Sequence, residues 1–317
     1  MRYIFAAFAI QYQKNLYPLT KDVLETYVNH RTPKSKFAEQ LKSVKEIGGT
    51  MFMDSGAFSA WTKKEVINID EYASFCLRFQ DDLECIASLD VIPGKFGCVP
   101  TKAEVDQSAE KGFENYLYLL EKGLDPNKLM HIFHQGEDFF WLEEIIKVCP
   151  YFGISPANDR TTEQKIQWLE QCMRVACDEN GMPRGKWHGF GVTSWDIMYR
   201  YPWFSCDSST WLRPGSYGYI YVPMFTHGEC DYSKPPRIVA VSEKSSSLGE
   251  EGKHISTLTE NEREVVLTLI KEDGFSLEEL SKHYYVRHQF NIGMIRRLIS
   301  GIPPYPWAYK TAQPSFL

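Results

Sequence analysis

Residues 129–155 read LMHIFHQGEDFFWLEEIIKVCPYFGIS, and they carry the strongest topological signal in the chain. A short apolar run over 129–135 is followed by a helix-like segment over 138–148 and a second apolar run over 151–155. Two strands joined by a helix lie parallel, because a crossover of that length returns the chain to the same end of the sheet. The unit recurs on both sides. Further apolar runs stand at 3–9, 50–54, 85–90, 187–193 and 203–209, with helical candidates near 34–46, 69–80, 101–123, 162–180 and 194–200. In TTEQKIQWLEQCMRVACDEN (161–180), Ile166, Leu169, Met173, Val175 and Ala176 fall close to helical spacing behind a threonine cap. Seven runs, with RIVAV (237–241) as an eighth, predict an α/β fold built as a (β/α)8 TIM-type barrel.

Composition changes after residue 241. SEKSSSLGEEGKHIS (242–256) is polar and turn-rich and reads as a linker. Residues 257–317 hold three short helical patterns and a Pro-rich tail. Within FSLEELSKHYYVRHQFNIGMIRRLI (275–299), Leu277 and Leu280 mark one helix, Tyr284–Val286 a turn, and Ile292, Ile295 and Leu298 a second helix. That resembles a helix-turn-helix, whose second helix would expose Arg287, His288, Arg296 and Arg297 to nucleic acid; a plain helical cap packed on the barrel with a solvated basic face fits the pattern equally well. The expected organisation is a barrel over 1–241, a linker over 242–256 and a helical appendage over 257–317.

An apolar content of 43% over 317 residues supports a sizeable core. The net charge of −6 excludes a protein that coats nucleic acid by bulk charge, and leaves room for a local basic face. The eight cysteines form no CxxC pair, which suits reduced thiols in a cytoplasmic protein. MRYIFAAFAI (1–10) is too short an apolar run to span a membrane and reads as a core strand.

Polar residues end most of the apolar runs. Asp54 closes the second and Asp90 the third; His134, Gln135, Gly136 and Glu137 close the fourth. Gly153, Ser155 and Asn158 belong to the fifth, Thr193 and Ser194 to the sixth, Asp207 to the seventh. In a parallel barrel these ends surround a single mouth, where such folds carry chemistry. Each residue alone serves equally well as a turn or cap. Together they offer three carboxylates, an amide and glycine-bearing turns. One carboxylate can attack an anomeric carbon while a second protonates the leaving group and later deprotonates the acceptor. A third, with an amide and backbone groups, can read the edge of a base.

The order of these motifs resembles the queuine/archaeosine tRNA-guanine transglycosylase superfamily, and within it the compact phage and bacterial DNA-guanine transglycosylases that install 7-deazaguanines. The resemblance runs over roughly residues 1–225. MDSGAFSAW is similar to the family's DSGG(F/Y)Q segment, which implies Asp54 as general acid/base with Phe58 beside the base. SLDVIPG implies Asp90 on the base edge. HIFHQGE implies Gln135 and Gly136 at the base carbonyl, and YFGISP implies the backbone of Gly153 and Ile154. FSCDSSTWLR is similar to the family's FDC…TR segment and implies Asp207 as nucleophile; Arg213, just after that strand end, is a candidate for phosphate contact by its position. Two departures stand out. Ala57 replaces the second glycine, and Ser59 follows Phe58 where the family has glutamine. The family's zinc site is missing: only Cys230 follows Asp207, with His227 and His254 nearby, so no metal and no other cofactor is expected.

The resemblance implies exchange of guanine in DNA for a preQ0-like 7-deazaguanine through a covalent aspartyl-glycosyl intermediate. The expected partners are DNA and the free guanine and 7-deazaguanine bases, with no membrane, and a homodimer is compatible. Cytoplasmic location follows, in a bacterial host if the chain is phage-encoded. The alternatives are the same exchange on tRNA, a non-catalytic nucleic-acid-binding relative, and an ordinary glycosidase, which would leave Gln135 and the glycine turn without a use. Arg160 and Arg200, near strand ends, are further phosphate candidates.

Overall fold

The computed structural model describes residues 1–6, 20–32, 34–95, 97–226 and 228–310. The end of the first apolar run, His227 and the last residues of the Pro-rich tail lie outside them. Nine short strands form one sheet: β1 (Arg2–Phe5), β2 (Asp22–Thr26), β3 (Thr50–Asp54), β4 (Cys85–Ala87), β5 (Leu129–Met130), β6 (Ile132–His134), β7 (Tyr151–Ser155), β8 (Lys186–Gly189) and β9 (Ser205–Ser208). Their order is β5-β4-β3-β2-β1-β9-β8-β7-β6, and every pairing is parallel. The outermost strands, β5 and β6, are separated in the chain only by His131. The sheet therefore wraps into a nearly closed parallel barrel, an α/β fold compatible with a TIM-type barrel.

One barrel strand differs from the expectation. DVLET (22–26) supplies β2, between β1 and β3, although it carries only two aliphatic residues. The run at 237–241 lies elsewhere. Its strand β13 (Arg237–Ala240) pairs antiparallel with β10 (Tyr219–Val222) in a separate two-stranded sheet, and Ile238 stands half exposed there. A second small hairpin joins β11 (Met224–Thr226) and β12 (Glu229–Asp231).

The helices between barrel strands are α1 (Phe37–Glu46), α2 (Ala57–Thr62), α3 (Ile69–Phe79), α4 (Lys102–Glu121), α5 (Phe139–Val148), α6 (Thr162–Ala176) and α7 (Trp195–Arg200). Side chains cap the first turns of four of them. Thr101 with Glu104 and Thr161 with Gln164 form capping boxes, while Asn68 and Asp138 accept from the first-turn N–H groups of α3 and α5. The buried faces of these helices pack on the outer face of the sheet through residues such as Tyr72, Leu119, Leu142, Phe152, Leu169 and Trp187. Alternate strand residues make a smaller cluster: Ile4, Phe52, Cys85, Met130 and Tyr151. At the strands' N-terminal ends, Arg2 binds Asp22 Oδ1 at 3.1 Å, Thr50 Oγ1 at 2.7 Å and Glu84, and its guanidinium lies 5.5 Å from the Phe52 ring centre.

Four more helices follow: α8 (Leu212–Ser216), α9 (Glu260–Glu272), α10 (Leu277–Lys282) and α11 (Tyr284–Ser300). Tyr284–Val286 is the first turn of α11 rather than a separate turn. The face of α11 expected to meet nucleic acid is largely its docking face. Arg287 is 5% exposed; its Nε donates to Gly215 O at 2.6 Å and its Nη1 to Leu280 O at 2.6 Å. It thus satisfies late carbonyls of both α8 and α10. His288 is also buried, with Nε2 3.0 Å from Leu212 O, and a Cβ on Gly215 would come within 2.4 Å of its ring. Asn291 accepts from Tyr221 N–H at 2.9 Å. Arg297 pairs with Asp273, and Arg296 is exposed. The segment 242–256 is no loose tether either, since Ser242, Ser245, Ser247 and His254 are buried and His254 bridges to Ala240.

Arg287→Met keeps the packing volume but leaves buried carbonyls without donors. It is expected to lower stability by roughly 2–4 kcal/mol in urea unfolding, whereas Met at exposed Arg213 should change it by less than ~0.5 kcal/mol. Equal effects of the two changes would show that Arg287 contributes no more than a surface side chain.

Candidate active site

Asp54 is the last residue of β3, in register with Thr26 of β2. The chain then turns sharply. Gly56 adopts φ +79°, its N–H donates to Asp54 Oδ2 at 3.2 Å, and a Cβ there would lie 2.7 Å from Thr26 Cγ2 and from Val28 Cγ2. The small residues after Asp54 therefore serve a left-handed turn packed against the exit of β2. That turn launches α2, whose Phe58 is 53% exposed with its ring 5.8 Å from that of Trp61. Trp61 is itself tied to Gly94 O by its indole N–H at 3.1 Å.

Asp207 lies near the end of β9, in register with Ile4 of β1. Its Oδ1 accepts from the Gly191 N–H at 2.8 Å and lies 3.2 Å from His188 Nε2. Its Oδ2 makes no hydrogen bond among the described residues. Asp90 follows β4, its side chain only 13% exposed. Asp90 Oδ2 is 3.4 Å from His134 Nε2, while Oδ1 is buried without a hydrogen-bond partner among the described residues. On its other side His134 Nδ1 is 3.0 Å from Glu137 Oε1.

The three aspartates share one field. Burial, reinforced by the negative charges of Asp90 and Asp207, pushes the Asp54 carboxyl up to about 7, against the opposing hydrogen bonds from Gly56 and Thr26. Asp54 keeps partial contact with solvent, so this acid is both perturbed and reachable. Burial alone would lower the pKa of His134, but Asp90 and Glu137 outweigh it and raise it well above the ordinary value. The two carboxylates beside it thus favour the protonated form of His134. His131, at the break between β5 and β6, goes the other way: burial brings it down to about 4, with the charge of His134 adding to the effect. It stays neutral, 2.9 Å from Ser88 Oγ.

Other expected site residues are placed differently. Gln135 reaches the same end of the barrel, but its Oε1 accepts from Ala157 N–H at 3.0 Å and its Nε2 donates to Gln164 O at 3.4 Å, bracing the loop after β7. Gly136, at φ +118°, is an exposed turn residue. Gly153 and Ile154 lie inside β7 rather than in a turn. The Gly153 N–H donates to His131 O at 2.7 Å and the Ile154 carbonyl accepts from Phe190 N–H at 3.0 Å, so these two groups belong to the ladder. A Cβ on Gly153 would meet Ile132 and Phe190 at 2.7 Å, which explains the glycine by packing. Arg213 is exposed, its guanidinium 5.9 Å from the Tyr217 ring centre. Arg200 pairs with Glu170 at 3.1 Å, and Arg160 is exposed.

His188, Gly191 and Ser205 escaped the sequence reading. The signal was present as period-two spacing, since His188 and Phe190 in one apolar run, and Ser205 and Asp207 in another, each stand two residues apart. Among the described residues no group of three His, Cys, Asp or Glu stands where it could hold a metal ion. Nor is any described helix long and apolar enough to cross a membrane.

A carboxyl whose folded pKa is raised favours its protonated form in the fold. Asp54 therefore costs stability progressively as pH rises from the ordinary carboxylate value to about 7, and the cost is constant above that. Asp54→Asn is expected to stabilise the protein at pH 8 by on the order of 2–4 kcal/mol, with the difference vanishing below about pH 4. Unfolding midpoints measured across that range check the sign: a variant less stable than the parent at pH 8 would show that Asp54 is favourably paired as an anion. No protein-family model matches the chain, and no curated protein matches it.

Proposed function

We propose that this protein is a guanine transglycosylase: a (β/α)8 barrel with a helical C-terminal appendage that exchanges guanine in DNA for a preQ0-like 7-deazaguanine. One observation carries the reading. Asp54 and Asp207, two acids near strand ends at one barrel mouth, sit in different environments, the first raised to about 7 and the second held at one oxygen by two donors. Paired carboxyl groups with separated roles are what double displacement at an anomeric carbon requires.

In this mechanism Asp207 Oδ2 attacks C1′ of the target nucleotide as the C1′–N9 bond breaks. Protonated Asp54 delivers its proton to the departing guanine, which leaves neutral. The incoming 7-deazaguanine then gives its N9 proton to the Asp54 carboxylate and attacks C1′, and the C1′–Oδ2 bond breaks to restore Asp207. Asp90, with Oδ1 unpartnered among the described residues, accepts from the N–H edge of the base. Phe58, exposed on α2 after the Asp54 turn, offers a ring to stack on the base. The target base must first leave its stack, at a cost of a few kcal/mol.

The grip on DNA cannot use Arg287 and His288, which are buried. It falls to exposed cations such as Arg213 and Arg296.

Incubation with labelled guanine and DNA or tRNA, followed by nucleoside mass spectrometry, tests the proposal. Wild type is expected to incorporate label into DNA, Asp207→Asn to lose exchange altogether, and Asp54→Asn to slow it by ~10²–10⁴-fold. Exchange on tRNA alone would move the activity to that polymer, and no exchange on either would overturn the reading.

A further inference from the structure

His188 is wholly enclosed in the barrel, 0% exposed, with its ring 4.5 Å from that of Phe190 and 5.7 Å from that of Phe52. Nothing in the exchange chemistry above uses it. An imidazole in such surroundings must have both nitrogens satisfied, and here they lie in one continuous chain. Tyr151 Oη is 2.5 Å from Ser205 Oγ, Ser205 Oγ is 2.6 Å from His188 Nδ1, and His188 Nε2 is 3.2 Å from Asp207 Oδ1. A carboxylate oxygen only accepts, so Nε2 carries the proton. In the neutral ring Nδ1 then accepts from the Ser205 hydroxyl, which accepts from Tyr151. Burial holds the Tyr151 phenol well above its ordinary pKa, so it remains a donor.

The chain ends on the oxygen that also receives the Gly191 N–H at 2.8 Å. Two donors from different places, a strand side chain and a loop backbone, converge on Oδ1. They fix both the position and the rotation of the carboxylate, and leave Oδ2 without a hydrogen bond among the described residues. A single donor would let the group pivot; two do not. A leucine at 188 would fill the same space without burying a polar chain, so packing alone does not account for histidine.

We infer that His188 is a positioning residue for Asp207, held in its Nε2-protonated form by Ser205 and Tyr151, and that it selects Oδ2 as the attacking oxygen. The inference rests on the transglycosylase reading for its catalytic consequence, and on hydrogen-bond geometry alone for its structural one. When Oδ2 bonds to C1′, Oδ1 becomes the carbonyl oxygen of the ester and keeps both donors. When the C1′–Oδ2 bond breaks, negative charge returns to the carboxylate and the same donors receive it. His188 touches neither the sugar nor the base, and acts through Asp207 in both half-reactions.

The test compares His188→Leu, which removes the donor, with His188→Gln, whose amide can donate from near the place of the ring Nε2. In exchange assays His188→Leu is expected to lower kcat by roughly 10²-fold with KM within about twofold, and His188→Gln to restore most of the loss. Unchanged kcat in a folded His188→Leu, or an effect on KM alone, overturns the inference. If His188→Leu does not fold, Ser205→Ala, which removes the donor to Nδ1, replaces it with the same expected split. A readout independent of activity is the imidazole nitrogen NMR spectrum. Wild type is expected to show a protonated Nε2 and an unprotonated Nδ1, with the N–H proton at low field and moving upfield in Asp207→Asn. A ring protonated only at Nδ1, or an N–H indifferent to Asp207→Asn, overturns the inference even if the protein exchanges no base. A wild type without exchange but with the expected spectrum instead overturns the transglycosylase reading and leaves the geometry standing.

Discussion

Wrapping a parallel sheet nearly shut gives the barrel two unlike ends, and the polar groups of this protein sort between them. At the N-terminal ends of the strands, Arg2 gathers Asp22, Thr50 and Glu84 into a paired cluster over Phe52. At the C-terminal ends the balance is negative: the charges of Asp90 and Asp207 add to burial in raising Asp54, and His134 is shared between Asp90 and Glu137. One end sets a guanidinium between its two carboxylates; the other gathers a larger excess of negative charge. Burial first, and that excess second, leave Asp54 able to hold a proton near neutral pH.

Such an excess opposes folding. Three carboxylates gathered in partly desolvated positions repel, and the fold offsets this with hydrogen bonds from Gly56 to Asp54 and from Gly191 and His188 to Asp207. The apolar packing of Trp187, Trp203, Trp211 and their neighbours supplies the surplus that tolerates it. Strain of this kind concentrates where a protein does chemistry, and stability is the quantity traded for it.

Strong local signals survived from sequence to structure. TMFMD and YFGIS became β3 and β7, and threonine-led patterns became α4 and α6 with capping boxes intact. β2 was hidden because Val23 and Leu24 are its only aliphatic residues, and one of its two buried residues is a carboxylate, Glu25. RIVAV carried a clear strand pattern, but period two says nothing about which sheet a strand joins. Arg287 and His288 were misread because residue type is a poor guide to burial when a long polar side chain can satisfy helix-end carbonyls. Gly153 looked like a turn, yet its lack of a side chain admits Phe190 and Ile132. At the candidate site the acids were legible because they end apolar runs. Their supporting groups were not, since His188 and Ser205 lie inside runs that a hydropathy reading treats as uniform.

The seam between α11 and α8 bears on how the molecule is made. Asp207 is followed within a few residues by Trp211, whose indole N–H donates to Ala6 O at 2.8 Å, and then by α8, whose Gly215 carbonyl is held by Arg287. The wall around Asp207 thus draws on residues far apart in the sequence, Ala6 and Arg287. During synthesis, a nascent protein that has already emerged through β9 still lacks the helix that seats α8. The wall beside Asp207 therefore stays incomplete until residues 284–300 have been made, so a chain folded only through β9 would hold the aspartates without the packing that closes around them.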